Sequence, residues 1–132
     1  MQQFRVLPTL PSLLVSPGIP LIHRDISWLQ FNERVLDEAR EHSGNPLLER
    51  LKFLAITASN LDEFFQVRIG GLMIMRRSGL KTPDASGLTP ARNLAALRQR
   101  IVMMKADQYA LFNNTLIPAL EKAGIRALKP KD

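Results

Sequence analysis

The side chains of this chain best equipped for chemistry are its carboxylates and one well-placed amide. Asp62 and Glu63 are adjacent, and Glu33, Asp37 and Glu38 lie close together upstream. Paired carboxylates can share a proton or hold a metal ion, but neighbours on a helix point about 100° apart. Asp62 and Glu63 therefore do not converge on one atom, and capping or ion pairing suits them better. Glu33 and Asp37 are four apart and alike in charge, which favours a solvated helix face. His23 and His42 flank the first helical pattern without ligand spacing, so a His-based metal site is not expected. There is no cysteine, which excludes disulfides and thiolate sites. No phosphate-cradling Gly-rich loop, nucleophile elbow or zincin motif occurs.

The amide is Asn60, inside ITASNLDEFFQVR from Ile56 to Arg68. Ser59 and Asn60 both suit a helix N-cap, and Asp62 and Glu63 follow them at the third position, as in a capping box. The stretch thus reads as a helix that breaks and restarts, with acids at the positive end of the new dipole. Spacing alone leaves Asn60 either a plain cap or a group presented to a ligand. Asp62 and Arg68 are candidates for an ion pair, local or between domains.

The elements that must position these groups are helical. Met1 to Ile22 is proline-rich and reads as a lead-in, extended or docked on a neighbour. A first helix begins near Asp25 or Ser27 and carries Trp28, Phe31, Val35 and Ala39 at helical spacing, which makes Trp28 and Phe31 core or interface residues rather than a stacking platform. Gly44 suits a left-handed cap, Asn45 a forward cap and Pro46 a first helical position. A second helix is expected over about 46–57 and a third over about 61–77, where Gly70-Gly71 permits either close approach of another helix or a kink. Residues 78–89 read as an exposed loop. Thr89-Pro90 opens a long helix to about Lys122, with a seam of Leu94, Leu97, Ile101, Met104 and Leu111 interrupted by Gln108, and a possible bend at Pro118. Ile125 to Leu128 reads as a short strand with nothing to pair with. The expected fold is all-α, a small bundle of about four helices with a long C-terminal helix. The expected divisions are a lead-in at 1–22, a helical domain at 23–124, and the truncated start of a further domain at 125–132.

At 132 residues, with 45% apolar residues, the chain can build one core. Charge is uneven: six Lys/Arg against eight Asp/Glu through Glu63 give −2, and twelve against four from Phe64 give +8. The basic half suits a polyanion or merely solvated helix faces. No apolar run of about 18 residues occurs, and the N-terminus resembles neither a signal core nor a transit peptide. A cytoplasmic location is expected, with peripheral association at the inner membrane as its variant.

Two dense motifs carry a family resemblance. RDISWLQFNERVLDEA (Arg24 to Ala39) and NPLLERLKFLAITASNLDEFFQVR (Asn45 to Arg68) resemble the opening of bacterial type 1 polyphosphate kinases, and the helix containing KADQ (Lys105 to Gln108) is similar to the same N-terminal domain. The resemblance covers about residues 23 to 128. It implies an enzyme that reversibly transfers the terminal phosphate of ATP to polyphosphate through a phosphohistidine, with Mg2+. It implies four domains, of which the C-terminal pair holds the phosphorylated histidine, the metal ligands and most phosphate contacts. Neither His23 nor His42 falls in a matching motif. By the same resemblance Asn60 contacts the adenine end of ATP, although Ser59 stands where some relatives have a second Asn. The implied partners are ATP, polyphosphate, the remaining domains and a second copy of the intact enzyme, with no nucleic acid, and this stretch alone is expected to be inactive. The readings from other classes are a free-standing basic helical module that binds nucleic acid or another polyanion, and a helical interaction domain that dimerises through the Leu94 to Leu111 seam.

Overall fold

The computed structural model describes residues 23–128. The expected lead-in at 1–22 and the chain end at 129–132 lie outside the described residues. Helix α1 spans Arg24–Asp37, α2 Leu47–Phe64, α3 Gly70–Arg77, α4 Pro90–Leu111 and α5 Ile117–Lys122. A 3-10 turn at Glu41–Ser43 follows α1, and π-helical turns at Phe65–Ile69 and Phe112–Leu116 join α2 to α3 and α4 to α5. The chain is therefore all-α, and among the described residues its helices run as three continuous rods: α1, α2–α3 and α4–α5. The expected fourth helix disappears because the second and third are one rod.

That continuity corrects the expected break at Ser59-Asn60. Nothing between Thr57 and Leu61 removes a backbone donor, and Thr57, Leu61 and Phe64 are all buried on one face. Burial on both sides outweighs the mild preference of Ser and Asn for caps. Asn60 is thus a mid-helix residue, and no capping box forms.

The start of α1 also differs from expectation. Its cap is His23, whose ring Nδ1 accepts from the amides of Asp25 (3.2 Å) and Ile26 (3.5 Å), so neither Asp25 nor Ser27 caps. At the next connection Gly44 takes the left-handed conformation (φ 74°) as expected. Asn45, however, reaches back to Glu38 rather than forward, and α2 starts without a side-chain cap. Thr89 caps α4, with Pro90 in its first turn.

Two cores hold the rods together. Ile26 and Leu29 of α1 meet Leu61, Phe64, Ile69 and Leu72 of the second rod and Leu97, Ile101 and Met104 of the third. At the other end Leu36 and Ala39 meet Leu54, Leu111 and Leu116. Each fully buried leucine contributes about 2 kcal/mol. The α4 seam therefore faces its own chain, with Gln108 buried beside it, and is not free to pair with a second copy. At Gly70 an added Cβ would meet only the Phe65 carbonyl, at 3.9 Å, and at Gly71 nothing within 4 Å, so no helix approaches closely there.

The loop at 78–89 is fastened rather than free. Asp84 accepts from the amides of Ser86 (2.9 Å) and Leu88 (3.2 Å), from the Ser86 hydroxyl and from Asn93 Nδ2 (2.7 Å), and lies 3.6 Å from His23 Nε2. The expected strand at 125–128 does not form. Gly124 is left-handed (φ 81°), its amide bonds Glu121 and that of Ile125 bonds Leu120, which closes α5 in a Schellman cap followed by irregular backbone. Among the described residues no helix is long and apolar enough to cross a membrane.

Candidate functional site

A groove of about 320 Å3 lies between α1 and the second rod, lined by Trp28, Phe31, Asn60, Glu63, Phe64, Val67 and Arg68. Trp28 and Phe31 are three apart on α1 and share a face. Asn60 and Glu63 stand in the same relation on α2. Trp28 stacks on Phe64 with ring centroids 4.6 Å apart and planes 10° apart, which makes a rigid aromatic floor. Phe31 keeps half its surface exposed at the rim, with the Arg34 guanidinium 5.9 Å above its ring. It is therefore less a core residue than its spacing implied.

Asn60 is held from behind. Its Nδ2 donates to Asn32 Oδ1 at 3.2 Å. Asn32 is fully buried, and its own Nδ2 donates to the Thr57 carbonyl (3.1 Å) and to Met104 Sδ (3.4 Å). The Thr57 hydroxyl donates to the Leu54 carbonyl and accepts from Gln108 Nε2 at 3.3 Å. A polar chain thus crosses all three rods and ends at Asn60 on the groove. Such a network is costly unless satisfied, and once satisfied it fixes orientation. Among the described residues, one N–H and the oxygen of the Asn60 amide have no partner.

Arg68 reaches the groove because of the first π turn. The buried stripe Thr57, Leu61, Phe64 would pass through Arg68 in an uninterrupted α-helix. Instead Gly70 N–H bonds the Phe65 carbonyl five residues back, and the stripe resumes at Ile69 and Leu72. Arg68 moves to the edge, where its Nε meets both oxygens of the buried Asp25 carboxylate at 2.8 and 2.7 Å. The expected partner of Arg68, Asp62, instead lies 3.9 Å from Lys105.

The remaining acids do not assemble. Asp37 pairs with Arg40 at 3.1 Å, and Glu38 accepts from Asn45. Glu33 lies 4.0 Å from the buried Arg100; burial raises its carboxyl above the usual value, against the opposing pull of that guanidinium. Among the described residues no three His, Cys, Asp or Glu stand together as a metal site. His42 sits exposed in the 3-10 turn. The arrangement is a groove with aromatic walls, a fixed amide, a carboxylate and a guanidinium.

The sequence singled out Asn60, which lines the groove, but not Asn32 and Thr57 behind it, nor Asp25 as the partner of Arg68. The signal was present: Asn32 lies between Leu29 and Leu36 on the buried stripe, a polar residue where an apolar one belongs.

The polyphosphate kinase N-terminal domain family matches residues 21–128. Proteins named polyphosphate kinase are similar to the chain: 47% identical over 111 residues in Bacillus cereus, 48% over 107 in Bacillus anthracis and 46% over 110 in Lactiplantibacillus plantarum. Those matches cover 80–83% of this chain but only 15–16% of the relatives' length. No solved structure matches the chain. The groove that holds Asn60 lies within the matched residues, and the chain belongs to the polyphosphate kinase family, as its N-terminal domain.

Proposed function

We propose that this domain forms the adenine end of the ATP site in a polyphosphate kinase, with Asn60 reading the base. The observation that carries the reading is the Asn60 amide, fixed by Asn32 at the mouth of an aromatic groove and keeping one donor and one acceptor free. Adenine offers a matching acceptor and donor side by side, the pairing that makes Asn bidentate to adenine elsewhere. The volume fits a planar base, at the small end of the ligand-pocket range of about 300–1,000 Å3. The domain orients the nucleotide, and the chemistry falls to other domains of the intact protein. There a histidine nitrogen attacks the terminal phosphorus of ATP and ADP leaves. A terminal oxygen of polyphosphate then takes the phosphoryl group from the phosphohistidine, and both steps reverse. Mg2+, when bound, would supply charge neutralisation at the phosphates; the groove here offers the single carboxylate of Glu63. ATP, polyphosphate and a second copy of the intact enzyme are the partners this reading assigns.

The test is Asn60→Ala in an intact kinase carrying this domain. The KM for ATP should rise about tenfold with kcat little changed, because the amide binds ground state and transition state alike. Unchanged ATP kinetics would sink the role of Asn60.

A further inference from the structure

Three polar groups line the groove, in the order Asn60, Glu63, Arg68 along the second rod. Two are already engaged. Asn60 spends one N–H on Asn32, and Arg68 spends its Nε on Asp25. Glu63 is exposed and makes no ion pair or hydrogen bond among the described residues, although Arg68 lines the same groove. A free carboxylate in a groove walled by Trp28, Phe31 and Phe64 is an acceptor without a donor.

We infer that Glu63 accepts the sugar hydroxyls of the bound nucleotide and makes the site selective for ribonucleotides over deoxyribonucleotides. The inference rests on the reading of Asn60 as the base contact. Residues three apart on a helix place their Cβ atoms about 5–6 Å from each other, so Glu63 is the next polar group along the groove from Asn60. A carboxylate repels phosphate, so it does not serve the far end of the nucleotide. Between the base-reading amide and the guanidinium of Arg68, the ligand's donors are its 2′- and 3′-hydroxyls. An ionised carboxylate has two oxygens and can accept both, in charge-assisted bonds. An acidic side chain on the ribose hydroxyls is also the solution of dinucleotide-binding folds. The first π turn supports the order, since it brings Val67 and Arg68 onto the groove one turn beyond Glu63.

The experiment is steady-state kinetics of an intact kinase carrying this domain, with ATP, 2′-deoxy-ATP and 3′-deoxy-ATP as donors, for wild type, Glu63→Ala, Glu63→Gln and Asn60→Ala. Glu63 is exposed, so its variants should fold, and thermal melts check this. The wild type should have a KM about tenfold lower for ATP than for either deoxy analogue. Glu63→Ala should raise the KM for ATP to the level of the analogues and leave theirs nearly unchanged; Glu63→Gln, keeping one acceptor, should fall between. Asn60→Ala should raise all three KM values and preserve their ratios. If Glu63→Ala keeps the wild-type ratios, or raises all three KM values equally, the sugar assignment is overturned. The reading of Asn60 then stands or falls on its own variant.

Discussion

The two π-helical turns are alike in form and different in use. Each spans five residues inside a rod, and each is closed by an amide bonding five residues back, Gly70 to Phe65 and Ile117 to Phe112. Each moves its rod's buried stripe by one position, from Arg68 to Ile69 and from Thr115 to Leu116. The second has a covalent cause next to it. Pro118 has no N–H and its ring would crowd the Asn114 carbonyl in a regular helix, so the wider turn relieves a conflict already in the chain. The first has no proline nearby. It places Arg68 beside Asp25 and opens the groove beneath Val67, and wide turns of this kind are frequent at functional sites. A distortion with a local cause needs no further explanation, whereas one without invites a search for the ligand it serves.

The contrast can be broken by mutation, most severely in the second turn. Leu116 is fully buried in it, so Leu116→Ala should cost about 2–5 kcal/mol in a denaturant melt. Val67, 71% exposed in the first turn, should cost within about 0.5 kcal/mol when cut to Ala and act on ATP affinity instead. Equal losses of stability at the two positions would erase the distinction. Next in size is Arg68→Ala, which leaves the Asp25 carboxylate (4% exposed) with only the exposed Arg24 guanidinium, 3.9 Å away. Breaking a fully buried pair costs about 3–5 kcal/mol; with Arg68 28% exposed, a loss of about 2 kcal/mol is expected, together with a raised KM for ATP.

The smallest effect is on pH. Burial alone would raise the Asp84 carboxyl, but its bonds from the Ser86 and Asn93 side chains and from the Leu88 and Ser86 amides outweigh this and lower it from 3.8 to about 2. The folded chain thus holds this proton less tightly than the unfolded one, so Asp84 contributes stability above pH 3.8 that is lost as pH falls through about 2. Because Asp84 sits against His23 at the start of α1, acidification across that window should raise amide exchange around Asp25 and Arg68 before it does around Leu116. Asp84→Asn should flatten the dependence in that window.

The fold class was legible because helical periodicity survives: Ala39 on the expected α1 stripe and Leu97, Ile101, Met104 and Leu111 on the α4 seam are all buried, although Phe31 is half exposed. The break at Ser59-Asn60 misled because cap preference is a local property of a few tenths to about 2 kcal/mol, and the packing of Thr57, Leu61 and Phe64 exceeds it. The strand at 125–128 misled because so short a segment has no partner among the described residues, and the cap at Gly124 leads into irregular backbone instead. In the site, Asn60 was legible as a polar residue between apolar runs and through the family motif. Its support by Asn32 was not, since contacts 28 residues apart leave no local pattern. Nor was the pairing of Arg68 with Asp25, because the π turn that redirects Arg68 has no breaker residue to announce it.

The central claim, that the base of ATP lies against Asn60, is tested most directly by photolabelling an intact kinase carrying this domain with 8-azido-ATP and mapping the modified peptides. Label is expected on Trp28–Phe31 or on Asn60–Arg68, suppressed by excess ATP. ATP-protected label confined to other domains would contradict it.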